Sequence, residues 1–536
     1  MAKFSGTQTI QRPKDQVKTT TTRRHTAEGA MGWERDAKSE LFLLAISNMV
    51  SEDTFYESAR ERDNRFRTLI HQVVREDPEW VARFIPYLRN TMQMRSASTV
   101  MAVEYGLSLN GVDRSTLAQD QYPRHVLSSA LSRADEPGEA IGYYFATQGK
   151  NLPMWLKRGL SDAAARLFNE RSALKYDGLS RGIRLGDVIE LTHARPKDKV
   201  QSKLFRYLID RRHHRDDAST DGLETISRAL ALNKMPVAER RAWLESDEFD
   251  PELLELAGFT WERLSGWLQG PMDKTAWESI IPSMGYMAIL RNLRNFEEAK
   301  ISNRMVDLVI NTLQDPEEVR RSRQFPIRFY SAFKATDSLK WASALERGLE
   351  LSLSNVPYLK GTTLILIDTS GSMDSAISAK SDIMRYEVAS LFGLTLAHRT
   401  ERSHTYTYAY GPHPLHVGNS LHLDMRNVRA RVGGGTDTFG SLEATYKGQD
   451  RVIILTDEQA HSPYFGYGTP DRIVDKIDAP IYTFNVAGYK TAQMDNGGSG
   501  RYAFGGLTDA GFKMINLIEQ YRTGVWPWMN KKDDYV

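Results

Sequence analysis

The sequence predicts a multidomain fold with an all-α, HEAT-like array of stacked helices over residues 33–355 and an α/β domain over residues 356–525. Three observations lead there. Helix-start signals recur through the first region, and no β-alternating run of any length stands before Gly361. From Gly361 onward, apolar strand-like runs alternate with helical segments, the pattern of a mostly parallel sheet. Leu364-Ile365-Leu366-Ile367 is aliphatic throughout, as expected of a strand covered on both faces.

In chain order, residues 1–32 read as a basic, flexible arm, because Thr19-Thr20-Thr21-Thr22-Arg23-Arg24-His25 carries no apolar periodicity. The helices that follow start with one recurrent device: Asp77-Pro78-Glu79, Asp250-Pro251-Glu252 and Asp315-Pro316-Glu317. In each, Asp caps free amides, Pro takes the first helical position and Glu favours the positive end of the dipole. Gly258 is a predicted stop. Apolar residues recur at helical spacing in Leu41–Ile46 and Trp80–Ile85. About 320 residues of helix exceed one bundle core, so stacked helical pairs of the HEAT kind are expected, although no strict repeat period is visible. In the α/β part, residues 381–397 read as an amphipathic helix, His404–Tyr410 as an alternating strand and residues 438–447 as a short helix. Ile481–Ala487 reads as a strand and residues 508–521 as a helix. The tail, 526–536, follows Val525-Trp526-Pro527-Trp528-Met529, whose aromatic content suggests packing onto the helical region, with a loose tail as the alternative.

The chemistry-bearing pattern begins where the aliphatic strand ends, at Asp368-Thr369-Ser370-Gly371-Ser372. Ligands of open α/β sheets sit beyond the carboxyl ends of the strands, and a carboxylate with two hydroxyls there forms a set of hard oxygen ligands for Mg²⁺ or another divalent cation. Gly433-Gly434-Gly435-Thr436 presents a third hydroxyl, and Arg451-Val452-Ile453-Ile454-Leu455-Thr456-Asp457 is a second buried strand ending in a carboxylate. The candidate metal set is therefore Asp368, Ser370, Ser372, Thr436 and Asp457. An aspartate-nucleophile phosphatase motif is excluded, since it needs a second Asp where Ser370 stands. Asp-x-Ser-x-Ser, Gly-Gly-Thr and strand-Thr-Asp in this order resemble the metal-ion-dependent adhesion site (MIDAS) of von Willebrand A domains. The resemblance implies that hydroxyls ligate Mg²⁺, that the aspartates hold coordinated water, and that one position stays open for an acidic side chain of a partner protein.

Bulk properties bound the function. The net charge is +2, with 41% hydrophobic and 26% charged residues and no cysteine. Disulfides and thiolate metal sites are thereby excluded, and a reducing, cytoplasmic setting is expected. No apolar run reaches the roughly twenty residues of a membrane span, and the polar start does not read as a secretory signal. RNA binding at so small a net charge requires segregated basic residues.

A long helical region ahead of this metal pattern resembles the Ro autoantigen family, in its bacterial or phage form. The matching segments are Tyr87-Leu88-Arg89-Asn90 with Arg95-Ser96-Ala97, Leu191–Pro196, Ala288–Leu293 and Phe504–Asp509. The resemblance implies a TROVE domain forming a ring of HEAT-like repeats, bridged by the von Willebrand A domain. It implies Y-like small noncoding RNA on the outer surface and single-stranded 3′ ends of misfolded or structured RNA in the central hole. It also implies a role in RNA quality control and decay, in some bacterial members with a 3′→5′ exoribonuclease tethered through the RNA. No catalytic activity is attributed to that fold, and a monomer is expected. Lys175, Tyr176 and Arg181 match a basic stretch that contacts RNA in the family, with spacing that departs slightly at Arg181. His193 and Arg195 belong to a second matching segment, and His193 is expected at a helix C-terminus, where its protonated form is favoured. Arg89, Arg95, Arg291 and Arg294 sit near helix ends and complete the candidate RNA set. Two other readings stay open: a Mg²⁺-dependent protein-interaction module on a helical scaffold, and a nuclease in which Asp368, Asp437 and Asp457 imitate a two-metal cluster.

Overall fold

A computed structural model of the chain describes residues 19–25, 31–47, 58–110, 115, 117–178, 181–213, 218–324, 326–336, 338–353, 356, 358–377, 382–418, 421–429, 431–459, 470–487, 491–494, 500–505, 515, 519 and 526–529. They fall into two compact units, one of Met1–Glu76, Thr91–Ala97 and Ser354–Val536, the other of Asp77–Asn90 and Ser98–Leu353.

The second unit is helical. The expected caps are in place: Asp77 Oδ1 accepts from the Trp80 amide at 3.0 Å, Asp250 Oδ1 from Glu252 at 2.9 Å, and Asp315 Oδ1 from Glu317 at 2.8 Å and Glu318 at 2.9 Å. Each satisfies amides that the helix itself leaves unbonded. Gly258 ends the helix Pro251–Leu256 at a φ of 64°, with the Phe259 amide donating back to the Leu254 carbonyl. Neighbouring helices pack in a chain: Pro123–Ala130 on Met154–Leu167, that on Leu185–Thr192, and that on Lys199–Arg212. Such stacking gives each helix two apolar faces to bury, which a surface helix of a single bundle lacks.

The first unit contains the strands β1 (Thr19–His25), β2 (Met31–Arg35), β3 (Leu359–Asp368), β4 (Thr400–Tyr408), β5 (Pro412–Pro414), β6 (Arg451–Thr456), β7 (Ile481–Asn485), β8 (Thr491–Ala492) and β9 (Arg501–Gly505). The larger sheet has the order β5-β4-β3-β6-β7-β9, with β5 antiparallel to β4 and the other neighbours parallel. β3 sits where the order reverses, so the crevice beyond β3 and β6 is the topological switch point at which open α/β sheets bind ligands. Leu364 to Ile367 and Val452 to Leu455 are buried, as their unbroken aliphatic runs require.

Several expectations are corrected. The sequence reading placed no strand before Gly361 and left residues 1–32 as a flexible arm. In the structure β1 pairs antiparallel with β2, and β2 with β8, Trp33 lying opposite Ala492. Threonine suits an extended backbone, but β2, the strand it pairs with, is held on its other edge by β8, more than 450 residues away and beyond any local pattern. The N-terminal boundary also moves: helices Ala37–Ser47 and Ala59–Glu76 group with the sheet. One bond that ties them there runs from Arg62 Nη2 to the Ala487 carbonyl at the end of β7, at 2.9 Å.

The amphipathic helix expected at 381–397 is instead Arg385–His398, buried on every side from Arg385 to Ala397. It lies against β3 and β4 and is itself covered by the helix Leu421–Arg429. Its Gly393 allows that approach, because a Cβ there would stand 2.6 Å from Ile367 Cδ1. The short helix after the glycine loop is Thr438–Thr445. Of the helix expected at 508–521, only residues 515 and 519 are among the described residues, and Gly506–Asp509 lie outside them. The aromatic tail packs within the first unit: the Trp526 and Trp528 rings lie 5.1 Å and 5.7 Å from that of Phe42.

Candidate functional site

The crevice beyond β3 gathers the hydroxyls and carboxylates singled out in the sequence. Asp368, the last residue of β3, is fully buried; its Oδ1 accepts from the Ser370 amide at 2.9 Å and its Oδ2 from Thr456 Oγ1 at 2.5 Å. Ser370 Oγ and Ser372 Oγ stand 3.4 Å apart, both buried, because Gly371 to Met373 forms a single tight turn. The Gly371 amide donates to the Gly434 carbonyl at 3.0 Å, and the Gly433 amide to the Thr369 carbonyl at 2.9 Å. These two bonds lock the glycine loop to the β3 turn, with Thr436 buried at the loop's end. Gly434 has a φ of 93°, and a Cβ there would meet the Tyr410 ring at 2.7 Å. Tyr410 itself is 73% exposed.

Two buried carboxylates dominate the electrostatics of the crevice. Burial foremost, and then the neighbouring Asp457, push the Asp368 carboxyl up to about 7. Burial also raises Asp457, against the lowering effects of its hydrogen bond with Ser372 and of the charge on Arg385. Asp457 Oδ2 is buried without a hydrogen-bond partner among the described residues. Two buried carboxylates that disfavour each other's charge, one with an orphaned oxygen, fit a divalent cation held by the neighbouring hydroxyls. Asp437 does not join them: its Oδ1 accepts from the Gly440 amide at 2.9 Å and caps the helix Thr438–Thr445.

One feature of this crevice escaped the sequence reading. Glu458, next to Asp457, is buried in a left-handed conformation at φ 61°. Its Oε2 accepts from Arg35 Nη2 of β2 and from Asn485 Nδ2 at 2.5 Å. A charged residue directly after a buried strand-end aspartate is the only local hint, since Arg35 lies 423 positions away.

Seven of the nine candidate RNA residues fall into three groups. Lys175 and Tyr176 end the helix Glu170–Tyr176, with Lys175 exposed and its Nζ 5.5 Å from the Tyr176 ring centroid. Arg133, absent from the sequence reading, lies over the same ring at 5.1 Å. Arg133 and Arg181 share the buried Asp135, at 2.7 Å and 3.2 Å. His193 and Arg195 are exposed just past the helix Leu185–Thr192, with His193 in a left-handed cap at φ 52°. That helix is anchored at its start by Arg184 and Asp177, 2.6 Å apart, so its length of about 12 Å separates the two groups. Arg291, exposed on the helix Tyr286–Glu298, has no ion-pair partner among the described residues, whereas Arg294 pairs with Glu298 at 3.3 Å. Arg89 requires correction: it is buried and holds Glu136 Oε1 at 2.8 Å, so its charge is already matched inside the fold. Arg95 is half-buried at the first residue of the helix Arg95–Ser108 and groups with the first compact unit.

Comparison with known proteins adds four findings. The TROVE domain family matches residues 258–365. Telomerase protein component 1 of Mus musculus is 36% identical over 108 residues, which is 20% of this chain and 4% of that protein. The RNA-binding protein RO60 of Caenorhabditis elegans is 31% identical over 122 residues, 20% of this chain and 19% of that protein. The chain therefore spans less than a fifth of either relative's length. In fold, the crystal structure of the Deinococcus radiodurans RO (RSR) protein matches 89% of this chain and 100% of its own, with a TM-score of 0.62 at 15% identity.

Proposed function

Because this chain belongs to the Ro family of TROVE-domain proteins, we propose that it binds noncoding RNA through its helical unit and acts in RNA quality control or decay. We read the stacked helices as the HEAT-like repeats of a ring that takes Y-like small RNA and the single-stranded 3′ ends of structured or misfolded RNA. An exoribonuclease tethered through the bound RNA is the partner this reading brings with it, and a monomer in the cytoplasm is its setting. The observation that carries the reading is the set of exposed cations Lys175, Arg195 and Arg291, with the exposed His193, within one compact unit, set among arginines whose charges are matched by Asp135, Asp177 and Glu136. Cations without internal carboxylates are the ones available to phosphates. The test is a titration of a hairpin RNA with and without a single-stranded 3′ tail across a salt series. Affinity that rises with the tail and falls with a slope near −0.7 per phosphate contact supports the reading. Binding indifferent to both tail and salt would end it.

The sheet crevice supports a second role, which we read as a von Willebrand A domain with an adhesion-type Mg²⁺ site. Ser370, Ser372 and Thr436 would hold the cation, with Asp368 and Asp457 orienting its waters. Bound there, Mg²⁺ supplies an electrophilic seat for a partner's acidic side chain. The orphaned Asp457 Oδ2 favours this arrangement, and the hydroxyl-rich donor set favours binding over hydrolysis. Isothermal titration of wild type and of Ser370→Ala/Ser372→Ala with Mg²⁺ tests it. The variant loses the metal and keeps its RNA affinity; equal Mg²⁺ binding by both proteins would refute the assignment.

A further inference from the structure

The helical unit contains a cleft of about 410 Å³ between the helices Trp261–Leu268 and Tyr286–Glu298. Its apolar lining includes Phe259 and Tyr286, both buried, and the half-buried Trp261. Its charged lining comprises Lys175, Arg291 and Glu262, all exposed. Lys175 and Arg291 make no ion pair among the described residues, whereas Arg181, Arg184 and Arg294 are each paired. Arg291 also depresses the guanidinium of Arg328 by like-charge repulsion, behind the larger effect of burial. The first turn of Tyr286–Glu298 faces the cleft, and its N-cap, Gly285, has no side chain to satisfy the leading amides.

We propose that this cleft is a pocket for one unpaired nucleotide of a bound RNA. The volume lies at the low end of small-molecule sites, about 300–1,000 Å³, which suits one nucleotide and excludes a duplex. The half-buried Trp261 stacks on any base, the buried Phe259 and Tyr286 form the apolar floor, Lys175 and Arg291 take the flanking phosphates, and the Glu262 carboxylate accepts from a base N–H. The inference rests on the RNA-binding reading and goes further, because it assigns a base-sized receptacle where phosphate binding alone needs only surface charge.

The test compares Ala288→Trp with Arg291→Glu in the full chain. Ala288 lines the cleft, so the larger side chain fills it and leaves every charge in place. Arg291 is exposed, so its replacement leaves the core intact. The probes are a hairpin RNA with a single-stranded 3′ tail, the same hairpin without the tail, and free uridine monophosphate. Ala288→Trp is expected to weaken the tailed RNA about tenfold with an unchanged salt slope. Arg291→Glu is expected to weaken it and to flatten the slope by about 0.7 or more. Wild-type affinity in Ala288→Trp, with tail-dependent binding intact in the wild type, overturns the pocket and leaves the RNA reading standing. Uridine monophosphate displaced by Ala288→Trp while the tailed RNA is unaffected also overturns it, in favour of a free-nucleotide site. No salt-dependent binding of either RNA by the wild type overturns both.

Discussion

Arg35→Met isolates the contact between the N-terminal hairpin and the candidate metal crevice. The Arg35 side chain is 0% exposed and that of Glu458 1%, so neither charge is screened by water and no discount for solvent applies. With Arg35 replaced, Glu458 keeps the hydrogen bond from Asn485. One such bond, worth about 1.5–3 kcal/mol to a charged acceptor, does not hold a buried carboxylate. Breaking a buried pair by removing one partner costs about 3–5 kcal/mol, most of it the uncompensated charge left behind. The single variant is therefore expected to lose about 3–5 kcal/mol. Arg35→Met/Glu458→Gln, which buries no charge, is expected to recover most of that loss. Urea unfolding followed by far-UV circular dichroism on wild type, both single variants and the double variant closes the cycle. A coupling below about 0.5 kcal/mol, the noise of additive sites, would refute the reasoning.

The remaining predictions concern pH, the tail and the RNA surface. The Asp368 carboxyl is raised to about 7, so without metal its contribution to stability is fully present below about pH 4 and is lost as pH rises through about 7. Mg²⁺ competes with that proton, so the rise in melting temperature on adding Mg²⁺ should be larger at pH 8 than at pH 6; an equal rise at both would contradict the assignment. Trp528→Ala removes a buried ring stacked on Trp526 at 5.1 Å and should cost about 3–5 kcal/mol in denaturant unfolding. Lys175→Ala and Arg195→Ala should each reduce the salt slope of RNA binding by about 1 without a stability change. Arg89→Met, in contrast, should lower stability by about 1.5–3 kcal/mol by removing a charged hydrogen bond from Glu136, whose Oε2 still accepts from the Ser132 and Arg133 amides, readable as a shifted urea midpoint.

The parts of the fold legible beforehand were those written in local patterns. Asp77, Asp250 and Asp315 announced helix starts because capping involves residues only two or three positions apart. Asp368, Ser370 and Ser372 were legible for the same reason: one turn at a strand end brings them together. The hairpin β1–β2 was not, since its second partner is β8. Nor was the true setting of Arg89, which depends on Glu136 standing 47 positions on.

Taken alone, the sequence determined the change from helices to alternating strands and helices near residue 355, and the hydroxyls and carboxylates that stand at two strand ends. Periodicity, caps and short motifs depend on neighbours along the chain. Tertiary structure alone decided which basic side chains keep an ion-pair partner: Arg89 and Arg181 are matched by Glu136 and Asp135, while Lys175 and Arg291 line one cleft. A charge is matched or left over according to what folding places beside it, and those partners lie tens to hundreds of residues away.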